Sequence, residues 1–218
     1  MDGFDLASTD RLLSTTRTVR KRLDLDTPID MAEVMDCLRL ASYAPSGGNG
    51  QRWRWLMVTD PELKRGIAEY YAQAYADYSA PLKAQIASDD NPALRMAASS
   101  DFLADNLARV PLLVIPCALE RLTPESSTRE AASLYGGMFP AVWSFQLALR
   151  SRGYGSAITT LHIAFEKEVG DLLGIPDTVT QVALIPVARY TGETFGVAPR
   201  RPVEEVVYAD RWKNPLPS

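Results

Sequence analysis

One histidine, His162, and two cysteines, Cys37 and Cys117, are the only imidazole and thiol groups in 218 residues. The cysteines stand singly in apolar runs and no Cys/His spacing suits zinc or an iron–sulfur cluster, so no metal site is expected and a reducing compartment is the natural setting. Long apolar runs are missing too, none approaching the ~20 residues of a membrane-spanning helix. Met1 leads into Asp2 and Asp5 rather than a basic start and an apolar stretch, which argues against a secretory signal and for a soluble, cytoplasmic protein. Positive charge is not in excess: at a net −4 the chain is not expected to bind nucleic acid through a general basic surface. No G-x-S-x-G elbow accompanies the lone histidine, which leaves a hydrolase triad unsupported. Gly47-Gly48-Asn49-Gly50-Gln51 lacks the Lys-Ser/Thr of a P-loop, and no G-x-G-x-x-G follows an early strand.

What is present is an ordinary globular composition with helical and strand signals in turn. A helix over 8–16, capped by Ser8 or Thr9, delivers a basic segment from Arg17 to Arg22. Asp30 and Glu33 form a capping box for a helix over 31–43, which Pro45 ends. Trp53 to Val58 alternates as a strand with one strongly buried face. Pro61 opens a helix on which Tyr71, Tyr75 and Tyr78 recur at helical spacing, and helical character continues over 79–108. Val110 to Leu119 reads as a buried strand whose prolines limit how central its pairing can be. A long apolar helix over 129–152 is expected to kink or restart near Gly136, Gly137 and Pro140. Strands are expected at 157–161 and 179–187, with a helix at 165–173 closed by Gly174 and an extended run over 203–208. No repeat or linker divides the chain. One α+β domain over 1–218 is expected, with 70–108 as an excursion over the site (lid or helical spacer) and 200–218 as a C-terminal arm.

Two stretches carry chemistry. Ala44 to Trp53 is a loop of small residues that brings bare backbone and short polar side chains close to a ligand. Arg17 and Thr18 suit a phosphate, and Arg20 suits a polar ring edge, because guanidinium groups offer paired donors in a fixed plane. Each is also readable as a plain connection or a solvated face. Together they read as a site for a planar, phosphate-bearing cofactor.

These stretches resemble the FMN-dependent nitroreductases. Thr16-Arg17-Thr18-Val19-Arg20 is similar to that family's Arg-Arg-Ser-x-Arg, and Ala44 to Trp53 to its Ala-Pro-Ser-x-x-Asn-x-Gln-Pro-Trp. Gly153-Tyr154-Gly155-Ser156, Ile185-Pro186-Val187 and Arg200 to Val207 resemble its later segments in the right order. The resemblance implies a nitroreductase-like α+β fold, with a central, mostly antiparallel sheet flanked by helices and the domain completed by homodimerisation. FMN would lie at the subunit interface, held by Arg17, Thr18, Arg200 and Arg201 at the phosphate and Arg20 at the N1/O2 edge. Backbone around Thr159, Thr160 and Leu161 would approach N5 and O4. Pro45, Ser46, Asn49 and Gln51 complete the implied set, with at least the first three coming from the partner. It also implies ping-pong hydride transfer from NADH or NADPH through FMN N5 to a nitroaromatic, quinone or similar acceptor, which Tyr71 and Tyr75 would stack against. Reductive dehalogenation, flavin fragmentation and non-catalytic flavin binding are the alternatives on such a scaffold. Thr16, Arg52 and Ala188-Arg189 depart from the family pattern.

Overall fold

A computed structural model describes residues 3–85 and 92–216. Helix α1 (Leu6–Thr15) is capped by Asp5, whose carboxylate accepts from the amides of Ala7 at 3.1 Å and Ser8 at 3.3 Å. The expected caps serve Asp5 instead: Ser8 donates its hydroxyl to the carboxylate and Thr9 to the Asp5 carbonyl. A full negative charge suits the positive end of a helix better than a hydroxyl does. In α2 (Met31–Ala41), Asp30 caps the amides of Ala32 and Glu33. The reciprocal half of the box is absent, because the Glu33 carboxylate accepts from the Tyr154 hydroxyl at 2.8 Å and from Arg189 at 2.6 Å.

Five strands form one sheet. β1 (Trp53–Val58) pairs with β2 (Leu112–Ala118), which pairs with β5 (Ile185–Arg189), which pairs with β3 (Tyr154–Ser156); the short β4 (Thr180–Gln181) takes the other end of β2. Every named pairing is antiparallel. β2 lies in the middle and is buried throughout, against the expectation that its prolines would keep it peripheral. Leu119 N–H donates to the Arg52 carbonyl, and Trp55 lies opposite Pro116. That register turns the Pro116 nitrogen away from β1, into the gap between β5 and β4 where the ladder lacks one bond. The Pro116 carbonyl still accepts from Val182 N–H at 2.9 Å. This gap also splits the single strand expected over 179–187 into β4 and β5.

Helices cover both faces. Leu113, Ile115 and Cys117 of β2 point into a core shared with Ile67 and Tyr71 of α3 (Pro61–Gln85), Leu103 of α4 (Pro92–Asn106) and Val169 of α6 (Glu166–Leu173). Leu112 and Val114 point the other way, onto Val34 and Cys37 of α2 and Val142, Phe145 and Leu149 of α5 (Thr128–Ser151). A strand buried on both faces reads as a continuous apolar run, which is what β2 shows. β1 is likewise covered on both sides: Trp55 and Met57 pack on the α5 side, Leu56 and Val58 on the α3 side. Its expected single buried face is therefore corrected to two.

Of the kink or restart expected in α5, the restart does not occur; one helix runs through Gly136, Gly137 and Pro140. Buried Leu134 and Met138 before Pro140, and Ala141, Val142 and Phe145 at and after it, hold the helix across the missing hydrogen bond. The 203–208 run is not a strand either but a short 3₁₀ turn over Val203–Glu205, followed by a bridge between Tyr208 and Pro215.

His162 is fully buried, and neither ring nitrogen has a partner among the described residues. Burial pushes its pKa from 6.5 down to about 4. The folded chain therefore keeps the ring neutral over a range where the unfolded chain protonates it. Stability is expected to be flat above pH 6.5 and to fall between pH 6.5 and about 4, losing roughly 2–3 kcal/mol at ~1.4 kcal/mol per unit. Urea unfolding at pH 7.5 and pH 4.5 tests this: the native chain should lose that much more than His162→Gln. Equal losses would mean that the ring has a partner.

Candidate functional site

The basic segment is placed by a glycine. Thr18 bridges Ser156 in parallel and Val19 N–H donates to the Ser156 carbonyl at 2.9 Å. A Cβ on Gly155 would come within 2.8 Å of Val19 Cγ1 and 3.0 Å of its Cβ, so only glycine lets the segment lie against β3. Arg22 is turned to structure: it donates to the carbonyls of Thr191 at 2.6 Å and Thr194 at 3.0 Å and lies 4.1 Å from the Phe195 ring centre. Arg17 and Thr18 are exposed, and Arg17 donates to the Gly196 carbonyl at 3.2 Å. Arg20 alone turns into a cavity.

That cavity, about 270 Å³, lies between Arg20, residues 158–161 and the facing sides of α3 and α4. Tyr71, Tyr75, Tyr78 and Ser79 come from α3, and Met96, Ala97 and Ser100 from α4. Tyr71 and Tyr75 are buried in the core and wall the cavity at once, whereas Tyr78 is 61% exposed. The Thr159 hydroxyl donates to the Tyr71 oxygen at 3.3 Å. Burial raises the Tyr71 phenol, with the Thr159 hydrogen bond and the Arg20 charge opposing it. Tyr75 donates to Asp101 Oδ1 at 2.9 Å, and Lys83 donates to the same oxygen at 2.6 Å. Burial, followed by that carboxylate, pushes the Tyr75 phenol up to about 12, while chiefly the Lys83 hydrogen bond lowers Asp101.

The strand expected at 157–161 is instead an irregular link into a 3₁₀ turn over Leu161–Phe165. Thr159 exchanges both backbone hydrogen bonds with Leu184, at 3.0 and 2.7 Å, so its amide is spent and only its hydroxyl serves the cavity. The amides of Thr160 and Leu161 open the turn, where N–H groups lack partners inside the helix.

The loop over 46–52, all but Asn49, lines a different cavity, of about 420 Å³, with Ser133, Gly137 and Met138 of α5. Gly48, Asn49 and Gln51 have φ of 58°, 53° and 46°. For Asn49 and Gln51 this left-handed conformation costs about 1–2 kcal/mol each, strain of the kind that gathers at ligand sites. Ser46 Oγ accepts from Gln51 N–H and Asn49 Oδ1 from Gln51 Nε2, both at 3.1 Å, so these side chains first hold the loop itself. Pro45 is exposed ahead of it. Arg52, in place of the family proline, pairs with Glu120 at 3.0 Å. Within one chain the structure does not bring Pro45, Ser46, Asn49 or Gln51 to the Arg20 cavity. Nor does it bring Arg200 or Arg201 to Arg17: both are exposed, and Arg200 donates to the Pro199 carbonyl.

Sequence reasoning placed 70–108 over the site but missed which α4 residues line it, Met96, Ala97 and Ser100, and the Lys83–Asp101–Tyr75 knot. Positions 83 and 101 share no motif, and only packing α3 on α4 makes them neighbours. Among the described residues, no His, Cys, Asp or Glu group of three or more gathers to hold a metal, and no helix is long and apolar enough to cross a membrane.

Helices on both faces of an open antiparallel sheet, with a cavity between a basic segment and the turn after β3, define the class of protein. The sequence pattern of the Nitroreductase family matches residues 13–189, and the chain belongs to that family. It is 27% identical over 161 residues to iodotyrosine deiodinase of Drosophila melanogaster, an alignment covering 72% of this chain and 54% of that protein, so the chain spans about half the length of this relative. Its fold matches the crystal structure of oxidized iodotyrosine deiodinase bound to FMN and 3-iodo-L-tyrosine, with a TM-score of 0.66, 23% identity and coverage of 92% and 97% of the two chains. It matches equally the FMN and NADPH-dependent nitroreductase NfnB from Sphigopyxis sp. strain HMH, with a TM-score of 0.68, 19% identity and coverage of 93% and 99%.

Proposed function

We propose that this protein is an FMN-dependent oxidoreductase that works as a homodimer, taking hydride from NADH or NADPH and delivering it to a nitroaromatic, quinone or similar small acceptor. The observation that carries this reading is the half-site: Arg20 facing Thr159, Thr160 and Leu161 across a cavity, with the strained 46–51 loop opening elsewhere on the same chain. Two copies would complete each site by exchanging these halves. Exposed Leu40, Tyr43 and Trp143, and an arm carrying Val203, Val206 and Trp212, offer the apolar surface such an exchange needs.

FMN fits the residues present, since Arg17 and Thr18 supply phosphate donors and Arg20 supplies charge at a ring edge; when bound, it supplies the hydride-carrying centre. Arg200 and Arg201 would reach the phosphate as the arm settles. Arg20 would hold a fixed positive charge where negative charge gathers on reduction. The amides of Thr160 and Leu161 would donate to the ring edge. Pro45, Ser46, Asn49 and Gln51 would line the ring from the partner, and α3 with α4 would shelter the acceptor as a lid. The acceptor would take its protons from solvent. Two buried free thiols, Cys37 and Cys117, suit a cytoplasmic setting.

The purified protein is expected to be yellow, to release FMN on denaturation, and to bleach anaerobically with NADH or NADPH. A colourless protein that stays so in excess FMN would end this reading. Reductive dehalogenation is the second reading, favoured by the 27% identity to a deiodinase. Iodide release from an iodophenol, measured beside nitro-group reduction, separates the two.

A further inference from the structure

Behind the tyrosines of the Arg20 cavity stands a carboxylate, Asp101, that does not line it. Asp101 Oδ1 accepts from both the Tyr75 hydroxyl and Lys83 Nζ, and Lys83 Nζ lies 5.5 Å from the centre of the Tyr75 ring. The hydroxyls of Ser79 and Ser100 are turned back onto their own helices, to the carbonyls of Ala76 and Met96. Arg20 offers donors only, and the Tyr71 oxygen accepts from Thr159 while its own O–H is uncommitted among the described residues. The described part of the lining therefore offers donors, ring faces and aliphatic groups, and no carboxylate.

We propose that this cavity selects planar aromatic acceptors that carry no ammonium group, and that Tyr75 and Lys83 set the selectivity by engaging Asp101 Oδ1 and balancing its charge. The inference rests on the flavoenzyme reading and names its acceptor class. An ammonium entering here gives up its water and, among the described lining residues, finds hydroxyl oxygens but no carboxylate to balance its charge, whereas nitro, carbonyl or phenolate oxygens find Arg20 and Tyr71. The ligand in the similar deiodinase structure, 3-iodo-L-tyrosine, carries both an iodinated ring and an amino-acid head.

The deciding experiment titrates FMN-loaded protein, followed by flavin fluorescence, with two ligands. One is 3-iodo-L-tyrosine; the other is 3-(4-hydroxy-3-iodophenyl)propanoate, which lacks only the ammonium. The propanoate is expected to bind about tenfold more tightly or better, since a desolvated charge facing Arg20 without a counter-charge costs about that factor. Tyr75→Phe removes one partner of Asp101 and should narrow the ratio about threefold or more. Lys83→Met, at the exposed end of the knot, should narrow it in the same direction and serves if Tyr75→Phe does not fold. Equal or tighter binding of the amino acid, binding of neither ligand, or a ratio unmoved in the folded variants would overturn the proposal. Failure of the flavoenzyme reading shows separately, as protein that retains no FMN; the same titration then follows tryptophan fluorescence.

Discussion

Arg20→Ala is expected to slow anaerobic bleaching of the bound flavin by NADH or NADPH about 10²–10³-fold while FMN affinity changes less than tenfold. The magnitude is that of removing one preorganised donor from the place where negative charge develops. Arg20 is half-buried and is the one charged side chain in the described lining of its cavity, while Arg17 and Arg22 bind carbonyls of the 191–196 strap. On the proposed reading its charge would act on the ring edge rather than on the phosphate. Arg20→Lys should recover part of the rate, because the charge returns without the planar fork. Stopped-flow absorbance gives the rate and equilibrium dialysis the affinity. A parallel collapse of affinity would reassign Arg20 to the phosphate.

Phe145→Ala is expected to cost about 3–5 kcal/mol of unfolding free energy. The ring is fully buried between α2, α5 and the sheet, with its centre 5.4 Å from that of Trp55. Removing it leaves a cavity that β2, covered by helices on both sides, cannot move to fill. Phe145→Leu keeps most of the volume and should cost under half as much. Guanidinium unfolding followed by far-UV circular dichroism, at one protein concentration, gives both numbers. A cost below about 1 kcal/mol for the alanine variant would show that this side of the core is loosely packed.

Local chemistry was legible in the sequence and long-range chemistry was not. Trp53 to Val58 alternated as a strand should, and the Gly174 C-cap and its following Pro176 closed α6 where expected. Prolines left one thing open: the sequence shows the missing N–H but not where it points. At Pro116 it points into a gap of the ladder, and at Pro140 packing outweighs the lost bond. The basic segment was found, but not its division of labour, since Arg22 is recruited by Thr191 and Thr194, 169 and 172 residues away. The tyrosine stripe was visible as a face. That the face is core and cavity wall together follows only from α4 closing over it.

The contact between Gly155 and Val19 gives the basic segment a second duty. β3 is three residues long and ends the sheet, and the Thr18–Val19 backbone lies along its outer side, taking up the Ser156 carbonyl. An uncovered strand end invites pairing with other chains. If the proposed site is right, ligand grip and protection from self-association share one piece of main chain. On the proposed reading, removing the charge at Arg17 would loosen the grip and leave the shield, whereas a bulky residue at position 155 would remove both, giving a protein that is cofactor-free and prone to clumping together.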